Sequence, residues 1–291
     1  MADIFTPPTF LPSNIKNRRK KLNLKIELPT KNGKIETARS KRNTPHTFDG
    51  KATEVIPNLF VGDIIVAHND DILKELGITH ILNCVAQNVT NAFPNEFEYA
   101  SIEMKDSPSE DIFCLFFDAI DFIEKAIESG RVLIHCKCGI SRSTAITMAF
   151  LMYKYHYSYQ KAFETLHCKR SVCAPNAGFI MALQSWQDHL SGKPLVKPRL
   201  YRVEIHESKN NHFITKQVNS LKGFTSIFSF IIHTNETLYL WIGNQCSVDH
   251  IQSAQQFVNQ LQKYEKAPNS LIILEEGDEN DEFNHIIKEF V

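Results

Sequence analysis

Residues 130–153, GRVLIHCKCGISRSTAITMAFLMY, decide how the rest of the chain is read. RVLIHC is a short apolar run that predicts a strand ending at His135. TAITMAFLMY is apolar on every side, which predicts a helix buried in the centre of a core. Between them a tight loop runs from Cys136 to about Arg142, where the helix begins. Such a loop can turn its backbone N–H groups inward, and the helix N-terminus adds partial positive charge at the same point. Gly139 lets the chain bend around an anion with no Cβ in the way. Arg142 offers a planar fork of donors to two oxygens of one phosphoryl group. The same positive field favours the thiolate form of Cys136, so a dianion cradle has a nucleophile at its base. A single cysteine more often packs than reacts. Four residues at fixed offsets, His135, Cys136, Gly139 and Arg142, between a strand and a helix are the pattern of a functional site.

Outward from this stretch, EVIPNLFVGD (54–63), ITHILNCV (78–85) and FEYASIEM (97–104) read as further strands. HNDDILKEL reads as a short helix. DIFCLFFDAIDFIEKAIES (111–129) reads as a longer one, with Ile112, Phe116, Ile120, Ile123 and Ile127 at three- and four-residue steps. Two more helices are expected in SYQKAFETLH and APNAGFIMALQSWQDHL. Strands alternating with helices predict an α/β fold with a central, mostly parallel sheet flanked by helices. SGKPLVKPR (191–199) has prolines, basic residues and no period, and reads as a linker. Beyond it LYRVEIHE, SIFSFIIHT, TLYLWIG and SLIILEE read as strands. SVDHIQSAQQFVNQLQKY reads as one amphipathic helix with Ile251, Ala254, Phe257, Val258 and Leu261 on one face.

Composition narrows the class. At 43% hydrophobic and 22% charged, with no apolar run of bilayer-spanning length, the chain reads as an ordinary globular protein without a membrane partner. The opening MADIFTPPTF lacks the basic-then-apolar order of a signal peptide, and seven cysteines without framework spacing do not read as a disulfide scaffold. A reducing cytoplasm, with the nucleus as an alternative, is expected and would keep a nucleophilic thiol usable. The net charge of −1 conceals an asymmetry: residues 1–50 hold 11 Lys/Arg against 4 Asp/Glu. That segment reads as a disordered basic tail, 51–190 as the catalytic domain, 191–199 as the linker and 200–291 as a second domain. The histidines and cysteines show no paired zinc-ligand spacing, so no metal is expected.

HCKCGISRS (135–143) resembles the HCxxGxxRS motif of the protein tyrosine phosphatases, and its GISRS ending resembles the dual-specificity branch. VIPNLFVGD resembles that branch's opening strand, AFLM its helix after the loop, and APNAGF its PN-GF segment, so the likeness extends over residues 53–190. The resemblance implies the dual-specificity phosphatase fold and a phosphate-binding loop made of His135, Cys136, Lys137, Cys138, Gly139, Ile140, Ser141 and Arg142. It implies that Cys136 forms a phosphocysteine, Arg142 holds the phosphate, and Ser143 hydrogen-bonds the leaving thiolate. It further implies that His135 orients the loop and helps keep Cys136 ionised, and that Asn176 supports the loop from behind. Cys138 departs from the alanine common in relatives, a change that a loop working through backbone N–H groups tolerates. An alkoxide or phenoxide must be protonated as it leaves. The family takes that acid from a loop upstream, where Asp106 in MKDSPSED fits and Asp111 is the rival. Ser107, Pro108 and Glu110 read there as N-cap, first helical position and capping-box partner, with Asp111 in the first turn serving the helix dipole.

The implied reaction is two-step hydrolysis of a phosphoester with no cofactor. The short catalytic region implies a shallow cleft open to phosphotyrosine and to phosphoserine/phosphothreonine. A phosphoinositide or RNA phosphatase, or a non-catalytic phosphoprotein-binding scaffold, are the alternatives; Lys137 is basic, but Ile140 and Ser141 are uncharged. In the tail, Arg18, Arg19, Lys20 and Lys21 followed by Leu22 and Leu24 resemble the docking motif of MAP kinase partners. A nuclear-localisation signal or a polyanion contact would use the same basic run, although no nucleic-acid partner is expected. TLYLWIG, the long helix after it and EGDENDEF resemble a gelsolin-like domain, which implies a protein partner such as actin or a scaffold packed on the phosphatase. SIFSFIIH carries no acidic residue where that family's calcium site has one. Cys84, beside the expected active site, reads as core or as a disulfide partner for Cys136 on oxidation.

Overall fold

The computed structural model describes residues 48–205, 213–221 and 225–290. The docking segment from Arg18 to Leu24 lies outside the described residues. EVIPNLFVGD, expected as one strand, is a hairpin. Pro57 offers no N–H to a ladder and Asn58 turns into the left-handed region at φ 69°. The chain therefore folds back, pairing β1 (Thr53–Ile56) antiparallel with β2 (Leu59–Gly62). From β2 onward the sheet is parallel: β2 pairs with β5 (Val132–His135), β5 with β3 (His80–Asn83), and β3 with β4 (Glu98–Ser101). The strand ending at His135 is thus the central one, in the order β1-β2-β5-β3-β4.

Strand alternation assigns its side chains to two cores. Leu133 joins Phe60, Ile81, Val66 and Leu73 under the short helices α1 (Ile64–Ala67) and α2 (Asp70–Glu75). Val132 and Ile134 face the larger core with α3 (Leu115–Ser129), α4 (Arg142–Tyr155), α5 (Tyr159–Lys169) and α6 (Ala177–Leu190). Helix α4 packs on α3, α5 and α6 together, and its residues from Arg142 to Met152 are all buried, as its uniformly apolar sequence requires.

The helix expected from Pro108, with Asp111 in its first turn, begins only at Leu115, and the capping box does not form. Ser107 and Glu110 close a turn, Glu110 N–H to Ser107 O at 3.0 Å. Asp111 accepts the N–H of Phe113 at 3.1 Å, outside any helical turn. Buried Ile112, Phe113 and Cys114 fix the entry to α3 by packing in place of a side-chain cap.

The second sheet has the order β10-β9-β8-β6-β7, from β6 (Arg199–Ile205), β7 (Phe213–Val218), β8 (Ser229–His233), β9 (Leu238–Ile242) and β10 (Leu271–Glu275). One face carries α7 (Val248–Glu265). The other is closed by Phe283 of α8 (Asp281–Ile286) and by Phe290. On α7, Ala254, Phe257, Val258 and Leu261 are buried as expected, whereas Ile251 is only half-buried. The EGDENDEF segment works through its own residues. Glu276 accepts from Ser226 Oγ and Asn244 N, Glu279 accepts from the Trp241 indole at 2.7 Å, and Phe283 packs on Tyr239.

The two sheets share one hydrophobic cluster and one compact unit, Pro45–Val291. Phe257 meets Phe117 edge-on at 5.0 Å, and Tyr264 meets Tyr153 at 4.7 Å. Around them Gln260 donates to Asp118 and Asp121 at 2.7 and 3.0 Å, and Lys263 pairs with Asp121 at 2.7 Å. Glu265 is buried, yet His189, His233 and Arg199 around it outweigh the burial and hold its carboxyl down at about 2. Residues 191–199 are pinned where Leu195 exchanges two hydrogen bonds with Asn235.

Because the core is common, both sheets are expected to unfold together. Phe257→Ala should destabilise by roughly 3–5 kcal/mol. Urea unfolding followed by far-UV circular dichroism and by tryptophan fluorescence should give coincident transitions, both shifted; two separated transitions would contradict the shared core.

Candidate active site

Cys136 follows the central strand at its C-terminal end, where an open parallel sheet leaves a crevice. It is 1% exposed, and its Sγ accepts the Gly139 N–H at 3.2 Å and the Ser143 hydroxyl at 3.2 Å. Both donors point at the sulfur from within the loop and from the first turn of α4. Gly139 has φ 66°, and a Cβ there would lie 2.7 Å from the Gly62 carbonyl, so only glycine fits. Helix α4 starts without a side-chain cap, since Ser141 donates its hydroxyl to Asp106 Oδ1 at 2.7 Å. Its first-turn N–H groups are thereby left for an anion in the loop.

Arg142 is 8% exposed, and one guanidinium nitrogen donates to the Met104 carbonyl at 3.3 Å. Its Nε is buried without a hydrogen bond and lies 3.6 Å from Asp106 Oδ2. Asp106 is therefore drawn to the loop by three groups: Ser141, Arg142 and the Asn176 amide at 2.9 Å. Asp111 is not among the residues lining the cleft. Asn176 also caps α6 through Phe179 N at 3.1 Å and gives its own N–H to Ser141 Oγ at 3.2 Å. It joins the acid loop to the phosphate loop, a more specific task than support from behind.

Other loop members sit differently from expectation. His135 is buried, and desolvation brings it down to about 4 although its contact with the Cys136 backbone works the other way. It is neutral at physiological pH and adds no formal charge beside the loop. Burial and the neighbouring Cys136 push the half-buried Cys138 thiol up, and burial does the same to Cys84 inside the core. Lys137 is exposed; its carbonyl accepts the Ile64 N–H at 3.2 Å.

The cleft over Cys136 has a volume of about 630 Å³ and is lined by Asp106, Arg142, Ile140, Ala174, Asn176 and Phe48, among others. Two of its determinants escaped the sequence reading. Arg170, at the end of α5, donates its Nε to the Gly139 carbonyl at 2.7 Å; Phe48 stands on the rim. No spacing marks either one, for Arg170 reads as one of several basic residues and Phe48 as part of the tail.

A cysteine sulfur at the base of an anion-binding loop, with an arginine and a carboxylate across it, defines a cysteine-dependent phosphate-handling site. Comparison with known proteins agrees. Residues 59–189 match the family described as dual specificity phosphatase, catalytic domain, and residues 218–284 match the gelsolin repeat. The chain is 38% identical to Dual specificity protein phosphatase 1B of Arabidopsis thaliana over 48% of its own length and 84% of that protein. It is 34% identical to Protein-tyrosine-phosphatase MKP1 of Arabidopsis thaliana over 94% of its own length, and it spans only 36% of that longer protein. A crystal structure of human tyrosine phosphatase-like serine/threonine/tyrosine-interacting protein matches at 32% identity and TM-score 0.45, covering 47% of this chain and 95% of that one. The chain belongs to the dual-specificity phosphatase family and carries a gelsolin-like C-terminal part.

The neutral His135 gives a pH signature with a definite sign. Above pH 6.5 it is neutral folded and unfolded alike. Below that the unfolded chain takes up the proton first, so stability is lost as pH falls from 6.5 to about 4. The loss should reach on the order of 3 kcal/mol. Urea midpoints measured from pH 7.5 to 4 should show it, and His135→Asn should flatten that part of the profile.

Proposed function

We propose that this chain is a protein phosphatase that hydrolyses phosphotyrosine and phosphoserine/phosphothreonine through a phosphocysteine. The observation that carries the reading is the Cys136 sulfur, buried under the loop with N–H and O–H donors at 3.2 Å and with Arg142 and Asp106 beside it. In the first step the Cys136 thiolate attacks phosphorus, the ester P–O bond breaks, and Asp106 gives its proton to the departing oxygen. Arg142 and the loop amides hold the phosphoryl oxygens throughout. In the second step Asp106, now a carboxylate, takes a proton from water as that water attacks the phosphocysteine, and Ser143 steadies the returning thiolate. Orthophosphate leaves and the enzyme is restored.

Cys136→Ser should abolish turnover while phosphoprotein is still captured, because the loop and Arg142 persist. Asp106→Asn should slow poor leaving groups by about 10²–10⁴-fold, with a smaller loss for an activated aryl phosphate that departs unaided. Steady-state rates on both substrate types decide this: the same pattern from Asp111→Asn, and not from Asp106→Asn, would move the acid.

The substrate we propose is a phosphorylated MAP kinase, docked through Arg18, Arg19, Lys20, Lys21, Leu22 and Leu24, in the cytoplasm or nucleus. The likeness to a relative named MKP1 along nearly the whole chain supports this. Deleting residues 18–28 should weaken action on the phosphorylated kinase and spare a small aryl phosphate, since remote contacts raise local concentration without altering the chemistry. Rates compared at low salt and sub-saturating kinase test it; equal rates would leave the basic run as a localisation signal.

A further inference from the structure

Outside the catalytic groups, the cleft has one aromatic lining residue among those described, Phe48, and it is 43% exposed. A lone exposed phenylalanine is ordinary on a protein surface. This one belongs to a segment that is firmly held. Asp49 pairs with Arg170 at 3.2 Å, and the Arg170 side chain is only 2% exposed. Arg170 also donates to the Lys51 carbonyl and Thr53 hydroxyl at 3.3 and 3.1 Å. Next to it Gly50, at φ 58°, gives its N–H to the buried Asp63 carboxylate at 2.9 Å. Since Arg170 simultaneously bonds Gly139 O, the segment bearing Phe48 and the phosphate loop are tied to a single guanidinium.

The consequence lies at the mouth of the cleft. A phosphoryl group in the loop sends its ester oxygen outward, past Asp106, and whatever that oxygen carries passes the rim. The rest of the lining named with it is small or polar, apart from Ile140. A tyrosyl ring has an apolar face to lay on such a wall, whereas a threonyl or seryl side chain has almost none. We infer that Phe48 is a specificity-determining residue that favours phosphotyrosine over phosphothreonine, with Asp49 and Arg170 as the positioning residues that hold it at the rim. The inference rests on the phosphatase reading and extends it to the choice between the two phosphoester classes.

The test uses the full chain and a pair of peptides identical except for phosphotyrosine or phosphothreonine. Phe48→Ala should raise KM for the phosphotyrosine peptide about 5–10-fold and change it less than about 2-fold for the phosphothreonine peptide. Phe48→Tyr should restore the preference. Asp49→Asn should move selectivity the same way by a smaller factor, because Arg170 keeps Gly139. Inhibition by orthophosphate, which has no ring, should be nearly the same in wild type and Phe48→Ala, separating a ring contact from a damaged loop. Equal losses on both peptides, or no change on either, would overturn the role of Phe48 while leaving the phosphatase reading intact. A wild-type protein that hydrolyses neither peptide would overturn that reading and this inference with it.

Discussion

A loop that turns its amides inward must turn carbonyls outward, and each buried carbonyl then needs a donor from somewhere else. Much of the catalytic unit meets that requirement. The Lys137 carbonyl is taken by Ile64 N at the start of α1, Gly139 by Arg170 from α5, and Ile140 by Ala174 N ahead of α6. Thr144 closes the last turn onto Ile140 and Ser141 at 2.6 and 2.8 Å, and Cys84 N holds the His135 carbonyl at 3.0 Å. Donors from four other places in the chain, together with the loop's own helix, thus converge on the stretch from His135 to Ser141, and the elements behind them are placed accordingly. Cys138 is accommodated for the same reason: the loop is fixed by its backbone, and a neutral thiol in place of alanine disturbs no part of that pattern.

The gelsolin-like part is built onto this unit. Helix α3, which follows the loop bearing Asp106, is contacted along Phe117, Asp118 and Asp121 by α7. Asp118 is pushed up by burial, with Gln260 opposing, while Lys263, Tyr264 and Gln260 bring Asp121 down against its own burial. Polar groups at such a depth are tolerable only when partnered, and these partners come from the other sheet. The buried face of α7 is consequently occupied within the chain. An external protein recognised by the gelsolin-like part would have to meet its other surfaces.

What the sequence made legible follows from where single residues dictate structure. The strand–loop–helix around Cys136, the all-apolar α4 and the amphipathic α7 each carry a strong local pattern, and each was read with its type correct. The β1–β2 hairpin was written in Pro57 and Asn58, although an apolar run on both sides hid it. The false capping box shows the opposite case. Ser107, Pro108 and Glu110 have the right identities, but burial of Ile112, Phe113 and Cys114 sets the helix start four residues later than Asp111. Strand β7 and helix α8 went unread, being short elements stabilised mainly by their neighbours. Arg170 and Phe48 acquire their roles only in three dimensions, since their partners lie 31 residues away at Gly139 and beside a loop formed by other segments.

The segment carrying Asp106 illustrates how an irregular loop can still present a group accurately. It has no helical cap, and its internal bonds are two small turns. Its place is set from outside. The backbone of Pro108 lies so close to Gly178 that a Cβ on the glycine would fall 2.1 Å from the proline carbonyl oxygen. Two residues before that glycine, Asn176 caps α6 with its oxygen and holds Asp106 with its nitrogen. Any side chain at 178 would therefore push Pro108 away from α6 and strain the Asp106–Asn176 bond. The PN-GF stretch and the acid loop, some seventy residues apart in sequence, form one mechanical piece with Ser141 as their joint to the phosphate loop. The carboxylate and the sulfur keep their relation because both are referred to the start of the same helix, α4.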